Sequence, residues 1–108
     1  MKRRVLALAA TAFAAILATS TPAHAETITQ THGPLSIGGY CAQQINSSAW
    51  IGLYELHGLK CYTSAPTGGL QFVGWGSPQA ACEHLTPGYT ITSYARAYSD
   101  AITCTGTR

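Results

Sequence analysis

From residue 40 to the end, the chain alternates between short apolar runs and clusters of Gly, Pro and Ser. Ala49 to Leu56 (AWIGLYEL) is apolar and aromatic, a composition that suits a β-strand. His57-Gly58 turns it, and Leu59 to Thr63 forms the next run. The turn-rich stretch Ser64 to Gly69 (SAPTGG) leads into Leu70 to Trp75 (LQFVGW), which Gly76-Ser77-Pro78 stops. Gln79 to Leu85 suits either a strand or one helical turn. Pro87-Gly88 fits the centre of a type II turn. Tyr89 to Tyr98 is the longest strand candidate, and Ala101 to Thr105 closes the domain. Upstream, Glu26 to Thr31 is Thr-rich and polar, a frayed leader or an edge strand. Gly33-Pro34 and Gly38-Gly39 are turn signals after it. Five or six short strands predict an all-β domain, a β-sandwich or small barrel. No helix longer than two turns is expected, and the sequence shows no repeat.

The first apolar run is of a different kind. Val5 to Ala18 is an uncharged run of 14 residues. Lys2, Arg3 and Arg4 precede it, and a polar stretch ending Ala23-His24-Ala25 follows. A basic start, an apolar centre and a small-x-small end make a secretory signal peptide, with cleavage after Ala25. A membrane anchor would need roughly 20 apolar residues. Arg3-Arg4 is the only hint of the twin-arginine route. The chain therefore divides into a signal peptide (1–25), a polar leader (26–39) and the domain proper (40–108).

Cleavage changes the electrostatics. The precursor carries a formal net charge of +2, but three of its six basic residues lie in the signal peptide. The remaining 83 residues hold Lys60, Arg96 and Arg108 against Glu26, Glu55, Glu83 and Asp100, a net charge of −1. With no basic stripe, nucleic acid and anionic membrane surfaces are excluded as partners.

Eighty-three residues make one domain with a thin core, and small exported domains often compensate with disulfides. All four cysteines, Cys41, Cys61, Cys82 and Cys104, follow the cleavage site. They allow three pairings, and their even spacing does not choose among them. A zinc site would want close Cys pairs or paired His, which are missing. No metal or cofactor is expected.

Catalysis finds little support. There is no G-x-S-x-G, and a nucleophile needs a base and an orienting group. Paired carboxylates can cleave sugars, but Glu55 and Glu83 are explained more simply as solvated strand positions. His57 is most simply a turn residue, and His32 and His84 carry no stronger signal. An enzyme is not expected.

Binding is better supported. Six Tyr, two Trp and one Phe follow the cleavage site. A thin core buries some, Phe72 and one Trp among them, and leaves the others exposed. Strict alternation from Tyr89 to Tyr98 places Tyr89, Ile91, Ser93, Ala95 and Ala97 on one face. Thr90, Thr92, Tyr94, Arg96 and Tyr98 then share the other, solvent-facing side. Tyr and Arg are favoured at binding hot spots, and Arg gains cation–π energy over an aromatic ring. A cross-strand stack on a solvated sheet is the simpler alternative. Trp50 and Tyr54 share a face if Ala49 to Leu56 is regular, with Gly52 leaving room between them. Core packing is the simpler explanation for that pair.

Three local features resemble the small bacterial proteinaceous α-amylase inhibitors of the tendamistat type. Trp50 follows the first cysteine at strand distance. His57-Gly58-Leu59-Lys60 forms a short Gly-containing turn before the second. The most specific match is Cys82-Glu83-His84-Leu85-Thr86-Pro87-Gly88-Tyr89-Thr90-Ile91-Thr92. It resembles the family's cysteine, proline-glycine turn and Thr-containing strand. The resemblance covers Cys41 to Cys104, about three-quarters of the chain after the cleavage site.

The resemblance implies a six-stranded β-sandwich with sequential disulfides, Cys41–Cys61 and Cys82–Cys104. It also implies a secreted, monomeric inhibitor that occupies the active-site cleft of a protein target such as α-amylase. Trp50 and Tyr54 become the matched contacts, and Tyr94, Arg96 and Tyr98 a second patch. The family's Trp-Arg-Tyr triplet is missing: Ile51 and Gly52 follow Trp50, and no arginine lies between Cys41 and Cys61. Arg96 and Lys60 are the cations available to replace it. The alternative is a secreted carbohydrate- or surface-binding module, or a small antagonistic protein without inhibitory activity.

Overall fold

The computed structural model describes residues 25–108, and apart from Ala25 the expected signal peptide lies outside them. Six strands form: β1 (Thr27–His32), β2 (Ile51–Glu55), β3 (Gly58–Ser64), β4 (Leu70–Gly76), β5 (Thr90–Arg96) and β6 (Ile102–Thr107). They make two antiparallel three-stranded sheets, ordered β1-β6-β5 and β2-β3-β4. The mostly β architecture with six strands and two disulfides is as expected. The disulfides are Cys41–Cys61 and Cys82–Cys104, with Cα atoms 5.7 and 5.6 Å apart.

Two helices correct the expectation that no helix exceeds two turns. Helix α1 spans Pro34–Gln44 and helix α2 spans Pro78–Leu85. The Gly33-Pro34 and Gly38-Gly39 signals mark the first of these rather than turns. Pro34 sits in its first turn, where a missing N–H costs nothing. Ile37, Tyr40 and Cys41 then fall at helical spacing and are buried together. Gly38 is inside the helix because α1 lies close on β2: an added Cβ would stand 2.1 Å from the Trp50 carbonyl oxygen. In α2, the Ser77 hydroxyl accepts from the Ala80 N–H at 3.1 Å, a side-chain cap. The Thr86 hydroxyl donates to the Cys82 carbonyl at 2.6 Å at the other end.

Glu26 to Thr31 takes the edge-strand alternative. β1 pairs with β6 along its whole length, from Thr27–Thr107 to His32–Ile102. Three threonines of β1 stand opposite three of β6, and Thr31 and Thr103 share a hydrogen bond at 2.8 Å. The outer face of this sheet is therefore built of threonine.

The element order is β-α-β-β twice, a repeat that is not visible in the sequence. Each helix starts on a proline. Each also carries a cysteine bonded to the central strand of one sheet, Cys61 of β3 and Cys104 of β6. The first strands are exchanged: β1 joins the sheet of the second unit and β4 the sheet of the first. Helix α1 packs on β2 and β3, α2 packs on β5 and β6, and the helices pack on each other. One core results, formed by Ile37, Tyr40, Leu59, Ala81, Ile91, Ile102 and the four half-cystines.

Candidate functional site

The outer face of the β2-β3-β4 sheet is where aromatic side chains meet solvent. Leu59 and Cys61 of β3 are buried beneath it, so Lys60 and Tyr62 alternate to the outside. Register then brings Trp75 opposite Lys60 and Phe72 opposite Tyr62. Phe72 and Trp75 are three residues apart and share a face because a bulge interrupts the ladder there. Phe72 is 44% exposed, Trp75 54% and Trp50 46%. The expectation that Phe72 and one Trp enter the core is overturned. The core is thin and rich in half-cystines, and Tyr40, at 1% exposure, is the aromatic side chain that fills it.

The exposed rings hold a cation. The Lys60 ammonium lies 5.2 Å from the Trp75 ring centroid and 6.0 Å from that of Phe72. Phe72 meets Trp75 edge-on at 5.5 Å and Tyr62 at 6.1 Å. Glu55 fixes the group from the neighbouring strand. Its carboxylate lies 3.4 Å from the Lys60 ammonium and accepts from the Tyr62 hydroxyl at 2.6 Å. Burial, then the bond to Glu55, pushes the Tyr62 phenol up to about 12.

A second cluster lies where β2 meets the β5–β6 hairpin. The sequence placed Tyr94 and Arg96 on the face opposite Ile91. The structure moves them, because the ladder slips between Ile91 and Ser93 with Thr92 as the extra residue. Ile91 pairs with Gly106, Tyr94 with Cys104 and Arg96 with Ile102, so all three share one face of the sheet, where Ile91 is buried while Tyr94 and Arg96 remain exposed. Tyr94 there reaches the Tyr54 ring at 6.3 Å. Arg96 makes no tyrosine stack. Its Nε donates to the Tyr54 carbonyl at 3.0 Å and its Nη2 to the Asp100 carboxylate at 3.1 Å. Burial first, then the neighbouring Tyr94, raises the Tyr54 phenol's pKa.

The predicted residues are thus partly assembled. Tyr54, Tyr94 and Arg96 come together, and Tyr98 stands in the turn just beyond them. Trp50 is apart, its indole N–H donating to the Ser64 hydroxyl at 3.0 Å. The room at Gly52 is filled by Ile37, whose Cγ2 would lie 2.3 Å from an added Cβ. Sequence reasoning missed Lys60, Tyr62, Phe72 and Trp75 as one group, and Asp100 as the partner of Arg96. The run Leu59 to Thr63 was legible as a strand, but the side on which Lys60 and Tyr62 lie comes from the structure. The bulges, which set the partners, carry no sequence mark.

Other polar groups have structural partners. Glu83 accepts from Gln79 at 3.0 Å and His84 meets Gln44 at 3.3 Å, both on helices. Arg108 lies 2.8 Å from Glu26 and stacks over Tyr89 at 4.7 Å, joining the ends of the domain. The hydrogen bond from Arg108, then that from Tyr89, holds the Glu26 carboxyl below the usual range. Among the described residues there is no pocket, no group of three metal-ligating side chains, and no helix long and apolar enough to cross a membrane. Compared with known proteins, the chain matches no family model, no curated protein and no solved structure.

Proposed function

We propose that this protein is an exported, monomeric inhibitor that binds a glycoside hydrolase such as α-amylase and blocks its cleft, with no chemistry of its own. The contrast between the two outer sheet faces carries this reading. Both units share one element order, and the β1-β6-β5 sheet builds its outer face from threonines. Exposed rings are therefore not a requirement of the fold. Yet the β2-β3-β4 sheet carries Tyr62, Phe72 and Trp75 around Lys60 on its outer face. Exposed aromatic groups of this kind mark interaction surfaces. An exposed face with a central cation complements a cleft lined by catalytic carboxylates. In this reading Lys60 supplies the positive charge that the region between the first two cysteines otherwise lacks. Trp50, Tyr54, Tyr94, Arg96 and Tyr98 extend the contact.

Ring orientation favours a protein target over an extended polysaccharide. Phe72 is inclined 67° to Trp75 and 75° to Tyr62. Such rings do not make one flat platform, whereas a sugar chain lying flat wants ring faces turned the same way. The test is inhibition of a panel of α-amylases and related hydrolases by the oxidised protein. Inhibition that weakens about tenfold or more in Lys60→Ala and Trp75→Ala supports the proposal. Retention on starch or chitin by a folded sample that inhibits no hydrolase would instead establish the carbohydrate-binding alternative.

A further inference from the structure

The β5–β6 connection is costly for a hairpin turn. Ala97 N–H donates to the Ala101 carbonyl at 2.8 Å, and Ala101 N–H to that of Tyr98 at 3.3 Å. Between them Ser99 (φ 59°) and Asp100 (φ 58°) are both left-handed. This is the two-residue turn that suits a hairpin's twist, and Asn-Gly is its usual occupant. Side chains with a Cβ are disfavoured in that region, Asp less than Ser. Two successive non-glycine residues are held there only when their surroundings over-determine them.

The surroundings do so through Arg96. Its guanidinium ties the Asp100 carboxylate to the Tyr54 carbonyl, joining the turn to β2. Tyr94 against Tyr54 adds a second contact between the same elements. All of this fixes the base of Tyr98, whose own side chain is 89% exposed. The fold gains nothing from that ring. A braced turn that spends conformational energy to display one solvated phenol is a preorganised anchor.

We infer that the Ala97–Ala101 turn is a protein-recognition element, inserting Tyr98 into an apolar pocket of the partner while the Arg96–Asp100 pair holds it in place. The partner is the hydrolase of the proposed function, so the inference rests on that reading. The turn packs against β2, the edge strand of the β2-β3-β4 sheet, which puts it beside the aromatic sheet face. Tyr98 would therefore enter the same cleft at its margin.

The experiment compares the oxidised wild type with Tyr98→Ala and with the double variant Ser99→Asn/Asp100→Gly. Inhibition of the hydrolase panel and thermal melting are measured on each. Tyr98→Ala is expected to weaken inhibition about tenfold or more with an unchanged melting temperature. The double variant installs the preferred turn residues but removes the brace, so it should melt higher and inhibit more weakly. A purely structural turn would not separate those two readouts. If Tyr98→Ala inhibits like wild type while Lys60→Ala is weakened, the anchor is overturned and the inhibitor reading stands. If the folded wild type inhibits no hydrolase, the inhibitor reading fails and the anchor with it.

Discussion

Two neighbouring glycines in α1 have opposite roles. A Cβ on Gly38 would meet the Trp50 backbone at 2.1 Å, whereas one on Gly39 would have nothing within 4 Å. Gly39→Ala should therefore stabilise the protein by about 1 kcal/mol through helix propensity alone. Gly38→Ala forces α1 off β2 and should destabilise it by about 3 kcal/mol. Chemical denaturation of the two variants checks the difference in sign. His32 makes a pH prediction. Its Nε2 is buried without a hydrogen-bond partner, and burial holds its pKa below the ordinary 6.5. The unfolded chain then takes up a proton that the folded chain refuses. The stability that neutral His32 provides is complete above pH 6.5 and declines as pH falls below it. Melting temperature should fall with pH in that window, and less steeply in His32→Phe. Glu26 acts at lower pH: its contribution is present above 4.5 and lost as pH falls below that value.

At the level of elements, bulges decide which side chains can act together. Thr92 is the inserted residue in β5, and the pairing of Tyr94 with Cys104 resumes beyond it. Deleting Thr92 removes an insertion and should leave that pairing intact. Deleting Ala95 shifts the strand end by one residue and turns Arg96 away from Tyr54. Nuclear Overhauser contacts between the rings of Tyr54 and Tyr94 should survive the first deletion, and the melting temperature should fall more in the second. Capping is a simpler case. Ser77→Ala leaves the Ala80 N–H without its partner, at a cost of about 1 kcal/mol. That loss should appear in the denaturation midpoint.

Across the whole molecule, the disulfides and the strand exchange make one domain of two similar units. Each disulfide ties a helix to the central strand of a sheet, across separations of 20 and 22 residues. On the loop-entropy model each is worth about 3 kcal/mol. Replacing Cys82 and Cys104 together by alanine should lower the melting temperature markedly, and full reduction should abolish a cooperative transition. The exchange adds a different constraint. β1 pairs with a β6 that is distant in sequence, so this pairing closes the domain. Glu26 and Arg108 exchange two backbone hydrogen bonds, at 3.0 and 2.9 Å.

Much of the local structure was legible in the residues. The strand runs from Ala49 to Trp75 fall on β2, β3 and β4, since β-branched and aromatic stretches between turn residues have few other solutions. Pro87-Gly88 marked its turn, with Gly88 at φ 89°. Resemblance supplied the disulfide pairing. Helix α1 was not legible, because Gly38-Gly39 signals a turn unless something outside the segment demands a bare backbone. That demand comes from Trp50, which is distant in sequence and adjacent only in the fold. The same holds for the candidate surface. Sequence placed aromatics and cations on strands, but it did not give the side of Lys60. Which rings surround it, and that Arg96 braces Asp100 rather than stacking on tyrosine, follow from cross-strand register and bulges. Local propensity acts over a few residues, whereas register is set by two strands packing against a common core. The elements were therefore written in the sequence, and the tertiary structure alone decided how their side chains meet.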